Sequence, residues 1–197
     1  MHEHHEHGPG HFDPHRLHSM EERRRAEMPP EDVLKAFVRP DMRRFADIGC
    51  GSGFFTVAAA QLLPDARVFA VDRQQDMLDF VASRIRDAGL TNVETVRADA
   101  TRLPFADGEL DAVLMANVFH DIPERDAMRA EVYRVLKPGG TFFLVEWEKD
   151  DTTMGPPQAI RIGSEELQAI LAAGGFDVAR VEHGPGSTYR VTAVRSA

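Results

Sequence analysis

The stretch Ala46-Asp47-Ile48-Gly49-Cys50-Gly51-Ser52-Gly53-Phe54 decides the fold of this chain. An acidic residue and three alternate glycines follow a short apolar run and precede a helical pattern, which predicts a strand that turns tightly into a helix. Glycine accepts positive φ and lets a ligand approach the backbone closely. The sequence therefore predicts a binding loop at the carboxyl edge of a parallel sheet, where open α/β folds bind their ligands.

The spacing of the glycines separates the classes of nucleotide site. A dinucleotide fingerprint needs a further glycine three residues after the second one, and Phe54 stands there. A P-loop ends in Gly-Lys-Ser or Gly-Lys-Thr, and this loop has no such ending. What remains is the pattern Asp-x-Gly-x-Gly-x-Gly from Asp47 to Gly53.

Downstream of position 43, β-rich runs alternate with helical patterns, which predicts right-handed βαβ units and a parallel sheet. We expect strands at 44–48, 66–71, 92–97, 110–116 and 140–147. We expect helices at 53–62, 74–88, 123–136 and 164–173. The turn 184–187 predicts an antiparallel hairpin of strands 176–183 and 188–195. The predicted class is α/β, with helices on both faces of a mostly parallel sheet.

This order of motifs resembles the class I S-adenosylmethionine-dependent methyltransferases over roughly residues 40–195. The resemblance implies a three-layer Rossmann-like sandwich, a seven-stranded sheet with a C-terminal antiparallel hairpin, and S-adenosylmethionine as cofactor. Two short motifs, His11-Phe-Asp-Pro near the beginning of the sequence and Met154-Gly-Pro-Pro after the fifth expected strand, further resemble a group of small bacterial and archaeal methyltransferases. That group is related to the ubiquinone/menaquinone C-methyltransferases and the arsenite methyltransferases.

The resemblance also implies a set of cofactor contacts. Asp47 orients the methionine part of the cofactor, Asp72 accepts hydrogen bonds from the ribose hydroxyls, and Asn117 faces the methionine end. Asp99 and the backbone of Ala100 read the adenine. The complete expected set is Asp47, Gly49, Gly51, Gly53, Asp72, Arg73, Met77, Asp99, Ala100 and Asn117. Two alternatives stay open from the residues alone: Asp72 as a helix cap and Asp99 as a turn carboxylate.

His120 and Asp121 follow the fourth expected strand and are the candidate catalytic residues. A histidine with a pKa near 6.5 can deprotonate an incoming hydroxyl or thiol, and a neighbouring carboxylate can orient it. The alternative is structural: His120 packs in the loop, and Asp121 caps a helix that begins at Pro123. Glu146 and Trp147 end the fifth strand and suggest an aromatic wall near the acceptor.

Composition limits the partners. The chain has 197 residues and a net charge of −9, which argues against nucleic-acid binding because phosphate contacts need a basic face. We interpret Arg23-Arg24-Arg25, flanked by glutamates, as a solvated helix face. Cys50 is the single cysteine, so no internal disulfide forms, and a reducing cytoplasm is expected. No apolar run reaches a membrane span, and no signal peptide is visible.

The first residues form a separate region. Residues 1–18 carry seven of the nine histidines and are predicted to be a flexible arm that binds metal only adventitiously, so no metal site is assigned. Residues 19–40 contain two amphipathic or charged helical patterns and are predicted to form a helical cap. The methyltransferase domain is expected at 41–197.

Two functions remain at this stage. The first is methyl transfer from S-adenosylmethionine to a small-molecule acceptor by a cytoplasmic monomer or homodimer. The alternative is a catalytically inactive S-adenosylmethionine-binding sensor of metals or metabolites that uses the histidine-rich arm. Arsenite methylation is disfavoured because it needs several cysteines, a quinone acceptor stays open, and the acceptor atom does not follow from the motifs.

Overall fold

The computed structural model describes residues 12–152 and 155–196. The strands in this part of the chain are β1 Arg44–Ile48, β2 Arg67–Asp72, β3 Val93–Arg97, β4 Leu110–Ala116, β5 Leu136–Trp147, β6 Phe176–His183 and β7 Thr188–Arg195. The helices are α1 Pro14–Ser19, α2 Glu21–Glu27, α3 Pro30–Lys35, α4 Phe54–Leu62, α5 Gln75–Asp87, α6 Arg125–Val135 and α7 Ser164–Ala173. Short 3₁₀ turns lie at Phe119–Asp121, Gln158–Ile160 and Pro185–Ser187.

The seven strands form one sheet in the order β3-β2-β1-β4-β5-β7-β6. β1 pairs in parallel with both β2 and β4, whereas β7 is antiparallel to β5 and to β6. The predicted α/β class and the C-terminal hairpin are therefore confirmed. The strand order reverses between β1 and β4, and ligands of open sheets bind at such a switch point.

Helices cover both faces of the sheet. One face buries its side chains against α6 and α7, and the other buries them against α3, α4 and α5. Neighbouring residues of one strand alternate between the two layers: Phe45 lies in the second and Ala46 in the first. A strand buried on both sides is therefore mostly apolar, which is why β1 and β4 were visible in the sequence.

The start of β5 differs from the prediction. The sequence predicts a helix that ends at 136 and a strand that begins at 140, but β5 begins at Leu136, directly after α6. The residues between, Lys137-Pro138-Gly139-Gly140, have the composition of a turn. Leu136 pairs with Leu110, and the register shifts before Ala112 pairs with Thr141. The four residues are thus an irregular first part of the strand, with Gly139 at φ +75°.

The N-terminal region is more structured than the sequence suggested. Residues 14–18 belong to the predicted flexible arm, yet α1 spans Pro14–Ser19. The Asp13 side chain accepts a hydrogen bond from the His15 N–H, and Pro14 suits the first helical turn. The side-chain amide of Gln74 bonds both the N–H and the carbonyl of Phe12. Residues 1–11, which carry five of the predicted arm's histidines, lie outside the described residues.

The three arginines of α2 do not share one solvated face, as we had interpreted them. Arg23 is exposed and pairs with Glu27 at 3.3 Å, which agrees with that interpretation. Arg24 instead turns inward, and its guanidinium lies 4.8 Å from the ring centroid of Phe54. The correction has a physical cause: α2 rests on the glycine loop, so one side of the helix is covered.

Candidate functional site

The glycine loop follows β1 and is bonded to the end of β2. The N–H groups of Gly49 and Cys50 both donate to the carbonyl of Val71, at 2.8 and 3.0 Å. Gly49 has φ +71°, and a Cβ there would lie 2.5 Å from a methyl group of Val118. Neither the conformation nor the space admits a side chain. The loop therefore presents bare backbone at the switch point, as its sequence predicted.

Asp47 is buried beneath this loop. Its Oδ2 accepts a hydrogen bond of 2.6 Å from the Thr56 hydroxyl in α4. Burial raises the pKa of Asp47 to about 7, although the Thr56 hydrogen bond and the charge of Arg24 act in the opposite direction. A carboxylate in this state gains a proton or a cationic partner easily. Asp47 is thus suited to meet an ammonium group.

Asp72 ends β2 and is half-buried. Its Oδ2 accepts from the Gly51 N–H at 3.1 Å and its Oδ1 from the Gln74 N–H at 3.0 Å. Burial raises the pKa of Asp72 despite these bonds. The Gln74 contact is a local turn rather than a helix cap, because Gln74 precedes the first helical residue and α5 has no side-chain cap. Each carboxylate oxygen has a second lone pair, so this geometry leaves room for ribose hydroxyls as well, and the cofactor contact stays a prediction.

The predicted adenine residues follow β3 at the same edge of the sheet. Asp99 is exposed, and its Oδ1 accepts from the N–H and the hydroxyl of Thr101. The Thr101 hydroxyl is the main cause that lowers the pKa of Asp99, and Arg73 contributes through its charge. The turn-carboxylate alternative therefore describes one role of Asp99. Ala100 is half-buried, and Met77 is fully buried in the first turn of α5.

Asn117 combines an unusual backbone conformation with a side-chain oxygen that no described residue satisfies. It follows β4 with φ +58°, a conformation that non-glycine residues rarely adopt. Its N–H donates to the carbonyl of Val145 at 2.8 Å. Its side-chain oxygen is buried and accepts no hydrogen bond from the described residues. Buried polar atoms are normally hydrogen-bonded, so this oxygen is an acceptor available to a bound ligand, and the cofactor contact of Asn117 stays a prediction.

A buried histidine–carboxylate pair lies one turn further along. The His120 ring nitrogen Nδ1 is 2.6 Å from the Oε2 of Glu146, and both side chains are buried. Burial lowers the pKa of His120, but the hydrogen bond and charge of Glu146 outweigh it, so the pKa lies above its usual value. The second oxygen of Glu146 is buried without a partner among the described residues.

Asp121 does not orient His120 in the way we expected. Its Oδ2 is 3.6 Å from His120 Nε2, which is too long for a hydrogen bond. Nor does Asp121 cap the next helix, since α6 begins at Arg125 with no side-chain cap. Burial raises the pKa of Asp121. The orienting carboxylate is therefore Glu146, which the sequence could not pair with His120 because 26 residues separate them.

The structure brings most of the predicted residues to one edge of the sheet. The glycine loop, Asp72, Asp99 and Asn117 follow β1, β2, β3 and β4, which are neighbours in the sheet. A separate hollow of about 450 Å³ lies at the opposite edge, between Pro64–Arg67 and Thr91–Glu94. It contains none of the predicted residues, and we assign it no role.

The fold and this edge define a class. A bare glycine loop, a carboxylate at the end of β2 and an unsatisfied amide oxygen after β4 suit a ligand with a ribose and an amino-acid part. The residues thus fit S-adenosylmethionine, and the sheet order is that of the class I methyltransferases. The chain is an S-adenosylmethionine-dependent methyltransferase domain.

Comparison with known proteins gives the family. The model of the methyltransferase domain family matches residues 46–144, half of the chain, and the chain belongs to that family. The match begins at Ala46, within β1, and covers the glycine loop and the whole of β2, β3 and β4. The resemblance stated from the sequence motifs is confirmed.

Similar proteins agree with this assignment. A demethylmenaquinone methyltransferase of Symbiobacterium thermophilum is 35% identical over 121 residues, 60% of this chain and 48% of that protein. A ubiquinone/menaquinone biosynthesis C-methyltransferase of Shewanella halifaxensis is 34% identical over 119 residues, 59% of this chain and 47% of that protein. The chain thus spans about half the length of these curated relatives.

A solved structure covers more of the chain. An S-adenosylmethionine-dependent methyltransferase from Aquifex aeolicus is 28% identical, with a TM-score of 0.86, over 94% of this chain and 100% of that one. The cyclase SpnF has a TM-score of 0.76 at 21% identity over 85% of this chain and 80% of that one, which shows a shared fold. One fold therefore serves more than one reaction, and the acceptor must be argued from the site.

Three residues of the site were not assigned from the sequence. Glu146 was noted only as part of a strand end, although a lone glutamate in the apolar run of β5 is a signal for a buried pair. Thr56 is the partner of Asp47, and its position in the first turn of α4 carried no separate signal. Arg24 was hidden in a charged run whose helix could not be placed on the loop.

Proposed function

We propose that this protein transfers a methyl group from S-adenosylmethionine to a small-molecule acceptor that must lose a proton, with His120 as the general base. The observation that carries the proposal is the buried contact between His120 Nδ1 and Glu146. A histidine held in this way keeps one tautomer, with Nδ1 protonated and Nε2 free to accept a proton. Nε2 is the nitrogen that faces away from Glu146.

The cofactor supplies an activated methyl group whose sulfonium needs no further electrophilic help. The protein's own contribution is therefore placement, exclusion of water and removal of a proton from the acceptor. The glycine loop and Asp72 hold the adenosine part, and Asp47 and Asn117 hold the amino-acid part. His120 Nε2 takes the acceptor's proton as the nucleophilic atom attacks, and Glu146 stabilises the imidazolium that results.

The acceptor class follows from this base. A hydroxyl, a thiol or a carbon activated by a neighbouring hydroxyl all need to lose a proton, whereas a tertiary amine does not. The similarity to demethylmenaquinone methyltransferases supports the last of the three, a hydroquinone-like ring. We place a phenolic or hydroquinone acceptor first among the candidates for this chain.

The test is transfer of a labelled methyl group to a panel of demethylated quinols, simple phenols and thiols. We expect His120→Gln to lower turnover by about a hundredfold or more, the usual contribution of a general base. Its affinity for S-adenosylhomocysteine should stay within a factor of two of the wild type. An unchanged rate would remove His120 from the mechanism.

Glu146→Gln supplies the second half of this test. Loss of the carboxylate charge should lower the pKa of His120, so the acidic limb of the kcat profile should move to lower pH. A merely structural Glu146 would reduce kcat at every pH and leave the limb in place. His183, an exposed histidine, offers the matched control: His183→Gln should change neither the rate nor the profile.

The remaining expectations are part of the same proposal. We infer a cytoplasmic enzyme that acts as a monomer or homodimer and does not bind nucleic acid. No helix among the described residues is long and apolar enough to cross a membrane. The inactive-sensor alternative has no support in the relatives above, and the histidines at positions 2–11 that it needs lie outside the described residues.

A further inference from the structure

Helix α2 brings Arg24 to the glycine loop from outside the sheet. The Arg24 guanidinium lies 4.8 Å from the ring centroid of Phe54, and Phe54 is the first residue of α4, directly after the loop. A guanidinium at this distance from an aromatic ring makes a cation–π contact. Arg25 lies further from the same ring, at 5.7 Å. The contact places the Arg24 guanidinium beside the residue that follows the loop.

The surroundings of Arg24 are acidic, yet none of the acids is bonded to it. Its pKa is lowered chiefly by burial, and the charges of Glu21 and Asp47 partly offset this effect. Glu21 gives both oxygens to Arg84 and accepts a hydrogen bond from Ser52. Asp47 accepts from Thr56. Within residues 12–152 and 155–196, we find no hydrogen bond to the Arg24 guanidinium.

The neighbouring arginines of the same helix behave differently. Arg23 pairs with Glu27 at 3.3 Å, and Arg25 donates to both oxygens of Glu31 at 2.7 and 3.0 Å. Of the three, Arg24 alone has a guanidinium that donates no hydrogen bond to any residue that the structure describes. A half-buried guanidinium without an acceptor calls for an anion, and a planar carboxylate matches its geometry in a bidentate contact.

The position of Arg24 beside Asp47 suggests which carboxylate this is. An α-amino acid carries an ammonium and a carboxylate on one carbon, and a site for it needs an acid and a base side by side. The charge of Asp47 acts on Arg24, and Asn117, at the same edge of the sheet, has a side-chain oxygen without a partner among the described residues. We propose that Arg24 binds the α-carboxylate of the methionine part of S-adenosylmethionine, so that α2 completes the cofactor site.

This inference rests on the proposed function only for the identity of the ligand. It assigns a binding role to the N-terminal helices, which lie outside the part of the chain matched by the family model. Glu21, on the same helix, ties α2 to the loop through Ser52 and Arg84. The proposal is therefore testable by binding alone, without knowledge of the acceptor.

The experiment is calorimetric titration of the full chain with two ligands. S-adenosylhomocysteine carries the carboxylate, and decarboxylated S-adenosylmethionine keeps the ammonium and lacks it. We expect Arg24→Met to weaken S-adenosylhomocysteine binding by roughly tenfold to a hundredfold, the range for loss of charge-assisted hydrogen bonds. Binding of the decarboxylated ligand should change by less than threefold.

Arg23→Met is the matched control, because it makes the same change one residue away on the exposed side of α2. It should leave both affinities unchanged. If Arg24→Met does not fold, Arg24→Lys replaces it in the test. Lysine keeps the positive charge but cannot make the bidentate contact of a guanidinium, so the variant should bind only the carboxylate-bearing ligand more weakly.

The outcomes separate this inference from the proposed function. Equal weakening of both ligands by Arg24→Met, or of neither, would overturn the role of Arg24 and leave the cofactor in place. A folded wild type that binds neither ligand would overturn the cofactor itself, and the assignment of Arg24 with it.

Discussion

Asp47 shows how one residue can couple stability to the ligand. Its carboxyl is buried and holds its proton up to a pH of about 7, whereas an aspartate in the unfolded chain loses it near pH 4. Between these values the folded state binds more protons than the unfolded state. The free energy of unfolding therefore falls as the pH rises from about 4 to 7. An ammonium group beside Asp47 would remove this cost by stabilising the ionised form.

We expect Asp47→Asn to abolish this pH dependence, because an asparagine keeps the Thr56 contact and carries no charge. The variant should be more stable than the wild type at pH 8, by on the order of 2–4 kcal/mol, and nearly equal to it at pH 4. Urea unfolding at several pH values measures this. Asp65→Asn, at an exposed site, serves as control; if it flattens the profile equally, Asp47 is not the cause.

Also at the residue scale, the pairing of His120 with Glu146 could not be predicted from either residue alone. His120 was found from the sequence because it follows β4, where the cofactor's reactive end is expected. Glu146 lies near the end of β5, and β4 and β5 are neighbours with Ala116 opposite Val145. The pair exists only because the sheet forms with this register. A local pattern could not have joined the two residues.

At the scale of elements, a group of hydrogen bonds around Glu21 attaches α2 to the core. Arg84 of α5 donates to both oxygens of Glu21 at 2.6 and 2.9 Å and to the carbonyl of Ser52 at 2.6 Å. Leu17 of α1 lies against Gly51, where a Cβ would be 3.2 Å from its methyl group. Helices α1 and α2 are too short to be stable alone, so these contacts hold them on the loop.

We expect Glu21→Gln to lower the free energy of unfolding by about 1–3 kcal/mol, because it leaves the largely buried Arg84 charge without its partner. The N-terminal helices should also become more sensitive to limited trypsin digestion. Urea titration and a digestion time course check both effects. The adjacent, exposed Glu22 provides the control, and Glu22→Gln should change neither.

A double-mutant cycle with Arg84→Met isolates the contact. If the pair is direct, the double variant should lose less stability than the two single variants together. Strict additivity would mean that Glu21 and Arg84 act independently and would contradict this account of how α2 is held.

At the scale of the whole molecule, the sequence predicted the elements that depend on local or periodic residue patterns. The buried strands, the amphipathic helices and the turns gave the α/β class, and the three-glycine loop gave the ligand edge. Tertiary contacts were not predictable in this way. Arg24 and Glu21 look like surface charges until α2 lies on the loop, and the first part of β5 looks like a turn until Leu136 pairs with Leu110.

The N-terminal region is a second case in which the sequence did not predict the tertiary contacts. The histidine content of residues 1–18 suggested a flexible arm. Composition does not show that Phe12 hydrogen-bonds with Gln74 or that the ring centroids of His15 and Phe80 lie 5.1 Å apart. The division of the chain into arm, cap and domain stays a prediction. The structure adds that the described part of this region rests on the cofactor loop.

The central claim is that the carboxyl edge of the sheet binds S-adenosylmethionine, and the most direct measurement is calorimetric titration of the purified protein with S-adenosylhomocysteine. We expect binding on the order of micromolar that Asp72→Ala abolishes and that Asp79→Ala, at an exposed site of α5, leaves unchanged. A folded wild-type protein that does not bind, or an Asp72→Ala variant that binds as well as the wild type, would contradict the account.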